Sequence, residues 1–356
     1  MSAVVTPRRA GILPPYLLDH VAQAAPERAR QCARLSRQIT AQLRQQRALG
    51  LLARTRPPAA DAAGAPTEQA VQRQIYDAQQ GTALPGTLVR AEGAAATDDV
   101  AVTEAYDYLG ATRAFFQTVY ARNSIDGDGM PLIGTVHYER GYDNAFWNGE
   151  QMVFGDGDGE IFNRFTIAID VVGHELTHGV TERTANLIYQ DQSGALNESL
   201  SDVFGVLIKQ YTLQQQASEA DWIIGAGLLM PGINGVGLRS MRAPGTAYDD
   251  PALGKDPQPA SMDGFVDTQE DDGGVHYNSG IPNHAFYRAA VAIGGYAWEK
   301  TGRIWYRALT GGELAAGADF ATFAALTVRI AGADYGSSGA EATAVQQAWR
   351  DVGVLT

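Results

Sequence analysis

At 356 residues the chain is long enough for two lobes and an extension, and its 45% hydrophobic content is ordinary for a globular protein. No stretch approaches the roughly 20 apolar residues that a membrane-spanning helix needs, and a single cysteine, Cys32, rules out an intramolecular disulfide. Charge is uneven: residues 1–60 hold ten arginines against Asp19 and Glu27, a net +8, so with −13 overall the rest carries −21, an acidic body that repels phosphate and argues against a nucleic-acid partner.

A basic arm on an acidic body predicts intramolecular attraction. No apolar run of signal-peptide length follows the first residues, which predicts a cytoplasmic protein, export by another route being the alternative. Ile12-Leu13-Pro14-Pro15-Tyr16-Leu17-Leu18 reads as an extended apolar patch, because prolines favour β or polyproline backbone. An Arg-rich helix is expected over 26–52, and the Pro/Ala-rich stretch beginning at Arg56 reads as a linker. Cys32 reads as a small buried apolar group.

From 74 to 159 the pattern is strand-rich. Gly134-Thr135-Val136-His137-Tyr138 alternates, and Gln151-Met152-Val153-Phe154 runs into Gly155-Asp156-Gly157-Asp158-Gly159, while 98–121 reads as a helix. Tight turns account for that Gly-Asp run and for Asp126-Gly127-Asp128-Gly129, despite their calcium-like composition. His137 is expected on a strand with no metal role.

His174-Glu175-Leu176-Thr177-His178 places two imidazoles four residues apart, on one face of a helix and one turn apart. Two such nitrogens can share one zinc ion at about 2.0–2.1 Å. Glu175 does not reach the metal in this geometry and sits where it can take a proton from water. The helix around them is apolar on most sides, so its charged and imidazole groups need partners or a metal. The third ligand is expected at Glu198, on a following helix spaced by Leu196, Leu200, Val203, Phe204 and Leu207. Asp202, one turn beyond Glu198, is placed to accept the free ring N–H of one ligating histidine, and Asn197 that of the other. Further helices are expected over 282–293, 302–310 and 341–352, with His284 a packing or surface residue.

His174, His178 and Glu198 resemble the ligand set of the gluzincin metallopeptidases, and the resemblance is closest to the thermolysin family, from about residue 74 to the C-terminus. Asn144-Ala145-Phe146-Trp147-Asn148-Gly149 resembles the family's substrate-edge strand, Leu238-Arg239-Ser240-Met241 its substrate-arginine segment, and Asp271-Asp272-Gly273-Gly274-Val275-His276 its second active-site histidine segment. Tyr189 falls eleven residues after His178, as the family's active-site tyrosine does. The resemblance implies an α+β fold: a β-rich N-terminal lobe and an α-helical C-terminal lobe, with a central zinc-binding helix and the active-site cleft between them. It implies hydrolysis of protein or peptide substrates with one catalytic zinc ion. In that scheme Glu175 is the general base, Tyr189 and His276 stabilise the oxyanion, and Asp271 orients His276. Arg239 holds a substrate carbonyl, while Asn144 and the Ala145 backbone fix the extended peptide. Phe162, Phe165, Val171 and Leu238 match an apolar pocket and imply cleavage on the amino side of bulky hydrophobic residues.

Many relatives bind paired calcium ions near the zinc helix. Asp170 and Asp221 match ligand positions, but Lys209, Ile223 and Ala226 stand at three others. An ammonium opposes a hard cation, so the paired calcium site is expected to be absent. The N-terminal layout resembles the short prosegment of the protealysin-like branch and implies an autoinhibitory zymogen segment, cleaved somewhere near 50–70. The expected units are 1–55 as prosegment, 56–73 as linker, 74–188 as the β-rich lobe with the zinc helix, and 189–356 as the helical lobe. The alternative is a non-catalytic zinc fold serving as a binding module, which has no need of Glu175, Tyr189 and His276.

Overall fold

The computed structural model describes residues 11–48 and 72–356. The linker expected at 56–73, all but its last two residues, and the expected maturation region at 50–70 lie outside the described residues. The chain is mixed α+β, with a small N-terminal sheet and a helical C-terminal part.

The Pro-Pro motif corrects one expectation. Pro14 is extended (φ −62°, ψ 146°), but helix α1 begins at Pro15 and spans Pro15–Ala24. A proline fits the first helical position, where its missing N–H would have no partner and its fixed φ suits the helix. Helix α2 follows over Glu27–Ala48. Helix α2 lies against the sheet lobe, where Ile39 clusters with Tyr138, Tyr142, Phe146 and Val153 and the Asp143 N–H donates to Ser36 Oγ at 2.7 Å, whereas α1 meets the C-terminal half, with His20 Nε2 3.4 Å from Pro251 O. Arg37 pairs with Asp19 and Arg30 with Glu27, inside the arm itself. Among the described residues, apolar packing and a hydrogen bond dock the arm on the body, while these two ion pairs lie within the arm.

The sheet contains β1 (Arg73–Asp77), β2 (Thr87–Ala91), β3 (Leu132–Val136), β4 (Ala145–Trp147) and β5 (Met152–Phe154), in the order β2-β1-β3-β5-β4. Helix α3 (Val100–Tyr120) is capped by Asp99, whose carboxylate accepts from the Ala101 and Val102 N–H groups. Strand β4 is an edge strand, antiparallel to β5 with Ala145 opposite Phe154 and Trp147 opposite Met152. The Gly155 N–H donates to Asn144 O and the Asn148 N–H to Gln151 O. Residues alternate along a strand, so Ala145 and Trp147 present their backbone groups to the free edge.

Helices α4 (Ile169–Glu182) and α5 (Asp191–Leu213) pack along each other at the centre. Glycines permit their close approach. A Cβ at Gly205 would stand 2.5 Å from Asp170 O, and one at Gly173 would stand 2.7 Å from Ile208 Cδ1. The helical lobe continues with α6 (Asp271–Asn278), α7 (Gly280–Ile293), α8 (Thr301–Thr310), α9 (Phe320–Tyr335) and α10 (Ala340–Asp351). Among the described residues no helix is long and apolar enough to cross a membrane.

Two histidines outside the zinc motif also find places. His284 Nδ1 lies 2.9 Å from Ala260 O, a packing role as expected. His137 sits just beyond β3 with φ 54°, not on a strand. Its Nε2 is 2.8 Å from Asp99 and its Nδ1 2.8 Å from Asp156, so it ties the α3 cap to the Gly-Asp turn. That turn closes on Asp158, whose Oδ1 accepts from the Glu160 and Ile161 N–H groups at 2.7 Å.

Candidate metal centre and active-site cleft

Helix α4 presents His174 and His178, and α5 presents Glu198, Asn197 and Asp202. All five are buried. The ligating atoms of His174, His178 and Glu198 lie within 4.8 Å of one another. The two Nε2 atoms are 3.1 Å apart, and Glu198 oxygens lie 3.4 Å from His174 Nε2 and 3.3 Å from His178 Nε2. Asp202 Oδ1 accepts from His174 Nδ1 and Asn197 Oδ1 from His178 Nδ1, both at 2.8 Å. With both Nδ1 atoms donating, a neutral imidazole keeps its lone pair on Nε2, so both rings, their Nε2 atoms 3.1 Å apart, can turn a lone pair toward one divalent cation beside Glu198.

The charges around the triad ask for positive charge too. Burial disfavours ionisation of His174, yet Asp202 and Glu198 outweigh it and push the imidazole up to about 9. Burial also works against Glu198, but the His276 and His178 imidazoles hold its carboxyl well below the usual range. These donors and this electrostatic demand fit zinc, with both histidine orientations fixed from behind.

Glu175 is buried beside the triad, and its Oε2 accepts from the Trp147 N–H at 3.0 Å, at the free edge of β4. The Tyr189 hydroxyl donates to Glu198 and lies 3.4 Å from His276 Nε2. His276 comes from α6, whose start is bent by left-handed backbone at Asp272, Gly273 and Gly274. Asp271 holds it from both sides, accepting from the His276 N–H and bonding Nδ1, each at 2.7 Å. Burial opposes charge on His276, but Asp271 and then Glu198 raise its pKa. Arg239 lies against Asp202 through two 2.8 Å contacts. Burial raises the Asp202 pKa, but Arg239 and His174 bring it down to about 2.

The structure therefore brings Glu175, Tyr189, His276, Asp271, Asn197, Asp202 and Arg239 around the triad. Asn144 and Ala145 lie at the strand edge, and Phe162, Val171 and Leu238 are buried in the main apolar cluster together with Ile12, Leu13 and Phe165. Two partners were not foreseen. Asn283 donates to Asp202 Oδ2 at 2.9 Å, and Ser201 Oγ lies 3.1 Å from His178 Nδ1. A polar residue flanked by Ile281, Pro282, Ala285 and Phe286 on a helix was the available signal for Asn283.

Residues 11–13 lie along the edge of β4. The Ile12 N–H donates to Ala145 O at 3.2 Å, the Leu13 N–H donates to Asn144 Oδ1 at 3.0 Å, and Arg239 donates to Ile12 O at 3.1 Å. The Tyr16 ring packs on Tyr277, tilted by 33° with ring centroids 4.3 Å apart.

Two family models match, "Thermolysin metallopeptidase, catalytic domain" over residues 61–182 and "Thermolysin metallopeptidase, alpha-helical domain" over 185–354. An "Extracellular metalloprotease" of Pectobacterium carotovorum subsp. carotovorum is 54% identical over 343 residues, covering 96% of each chain. "Protease PrtS" of Photorhabdus sp. (strain Az29) is 49% identical over 97% of this chain and 92% of its own. The solved precursor of protealysin, a metalloproteinase from Serratia proteamaculans, superposes with a TM-score of 0.87 at 57% identity, over 97% of this chain and 100% of that one. These relatives overturn the cytoplasmic expectation: a chain 54% identical carries the name extracellular, which points to secretion. With its matched models, its relatives and its buried His-His-Glu centre, this chain belongs to the thermolysin family of metallopeptidases, in the branch of the protealysin precursor.

Proposed function

We propose that the chain is a zinc endopeptidase made as a zymogen, which cuts on the amino side of bulky hydrophobic residues once its prosegment has left the cleft. The observation that carries this reading is the convergence of three ligating atoms within 4.8 Å beside the strand edge where Glu175 accepts from Trp147. Zinc, when bound, supplies a Lewis acid that makes water a nucleophile near neutral pH. Glu175 takes the proton from that water and passes it to the leaving amine. His276, kept charged by Asp271, and the Tyr189 hydroxyl donate to the oxygen on which negative charge grows. Arg239, Asn144 and Ala145 O hold the peptide extended, and Phe162, Val171 and Leu238 receive the apolar side chain. A mere binding module has no use for Glu175, Tyr189 and His276.

Residues 1–55 are read as an intramolecular inhibitor, supported by Ile12 and Leu13 making the contacts expected of substrate, and 56–73 as the linker to the lobes at 74–188 and 189–356. The paired calcium site is read as absent, supported by Lys209, whose Nζ lies 2.9 Å from both Asp170 and Asp221. The test is turnover of casein and of a peptide library. A zinc chelator should stop it, added zinc should restore it, and product sequencing should find Leu, Ile or Phe at new N-termini. Lys or Asp at those termini would refute the pocket reading.

A further inference from the structure

One backbone bond and one side-chain bond set the chain direction: the Ile12 N–H donates to Ala145 O and the Leu13 N–H to the Asn144 Oδ1 just before it, so residues 11–13 run opposite to β4 and the chain before Ile12 heads toward the Trp147 end. Ala145 and Trp147 present their backbone groups to the same free edge. Ala145 O is taken by the Ile12 N–H, and the Trp147 N–H is taken by Glu175 Oε2. The nitrogen of the Gly11–Ile12 peptide unit is thus held on Ala145 O, two residues along the same edge from the Trp147 N–H that Glu175 takes. Ile12 is fully buried, and Arg239 grips its carbonyl. Gly11 has φ +80°, and a Cβ there would stand 2.4 Å from Ala145 O and 2.9 Å from Asn144 Oδ1, so only glycine makes this approach without strain.

We propose that Gly11–Ile12 is a bond this enzyme cuts in its own prosegment, and that the severed Ile12 end stays in the cleft as a product-like inhibitor. The inference rests on the proposed endopeptidase activity and on the preference for a bulky residue after the cut, which Ile12 meets. The chemistry balances with water alone. The Gly11 carbonyl carbon gains the water oxygen, its bond to the Ile12 nitrogen breaks, Gly11 leaves as a carboxylate and Ile12 gains the proton carried by Glu175. The contacts of the Ile12 carbonyl and the Leu13 N–H lie beyond the broken bond and survive the cut. α1 and α2 keep that end anchored, so hydrolysis here does not by itself free the cleft.

The full-length chain, loaded with zinc and incubated alone, tests this by intact mass and N-terminal sequencing, with turnover of a small peptide followed in the same samples. The expected result is a species beginning at Ile12, formed at a rate independent of protein concentration and inactive on the peptide until the chain is cut again farther on. It should be absent from Glu175→Gln and from Ile12→Asp. Peptide turnover emerging while residues 1–11 stay attached to Ile12 would overturn the cleavage and leave the endopeptidase reading standing. Turnover rising in step with the Gly11 cut would overturn the product-like inhibitor. No turnover at any time would sink both readings.

Discussion

Helices α4 and α5 contribute to two acidic clusters, one fully buried at the triad and one that opens to solvent at Asp221, and each balances its charge differently. At one, His174, His178 and Glu198 converge on a position for an exogenous cation, with Asp202 and Asn197 behind them. At the other, Lys209 Nζ fills the space between Asp170 and Asp221 and bonds Ile223 O at 2.5 Å. Burial lowers the Lys209 pKa, but the two carboxylates outweigh it, so the ammonium stays charged. The pair teaches a division of labour. A cation that must polarise substrate has to be an ion with an open coordination position, whereas one that only neutralises carboxylates can be a side chain that never dissociates. His137 between Asp99 and Asp156 is a third solution, a cation that titrates.

The largest test strikes the zinc cluster. Glu175→Gln should keep its zinc, measured by elemental analysis, and lose about a thousandfold or more of kcat/KM. Full activity in that variant would end the assignment of the base. Next, His276→Ala and Tyr189→Phe should each lower kcat by about 100-fold with little change in KM, since their donors act on charge that develops only in the transition state. Equal losses in KM would make them binding residues instead.

The Lys209 cluster should respond in stability and not in chemistry. Lys209→Met leaves Asp170 buried without its partner and should cost about 3 kcal/mol by denaturant unfolding. In the unaltered protein, added calcium should leave the melting temperature where it is. A clear rise would mean that the ammonium yields its place to metal.

The smallest effect belongs to His137. Asp156, against some burial, and then Asp99 raise its pKa to about 9. A folded value above the unfolded one gives stability that is complete below about pH 6.5 and fades as pH climbs through about 9. With the ring partly exposed and screened, about 1 kcal/mol is expected. His137→Gln should flatten that alkaline decline in a pH series of unfolding curves, and an unchanged slope would place its origin elsewhere.

The zinc cluster was legible because its parts are local. His174 and His178 are one turn apart, Glu198 and Asp202 are one turn apart, and each pair declares its shared face through helical spacing. Lys209 was legible by its sign, an ammonium where a cation's ligand was expected. His137 was not, since Asp99 and Asp156 lie 38 and 19 residues away and nothing local joins them. Asn283 escaped for the same reason, 81 residues from Asp202. In the arm, Pro15 carries two compatible meanings, extended chain or first turn of a helix, and only the packing against the body selects the second.

The hollows left by two absent methyl groups have a further effect. Gly173 and Gly205 let one helix nest into the other, and the imidazoles and the carboxylate ride on opposite sides of that seam. An alanine at either place would act as a wedge, lengthening the bite of the chelate without touching any of its donors. Grip on the metal is thereby tuned by atoms the protein leaves out.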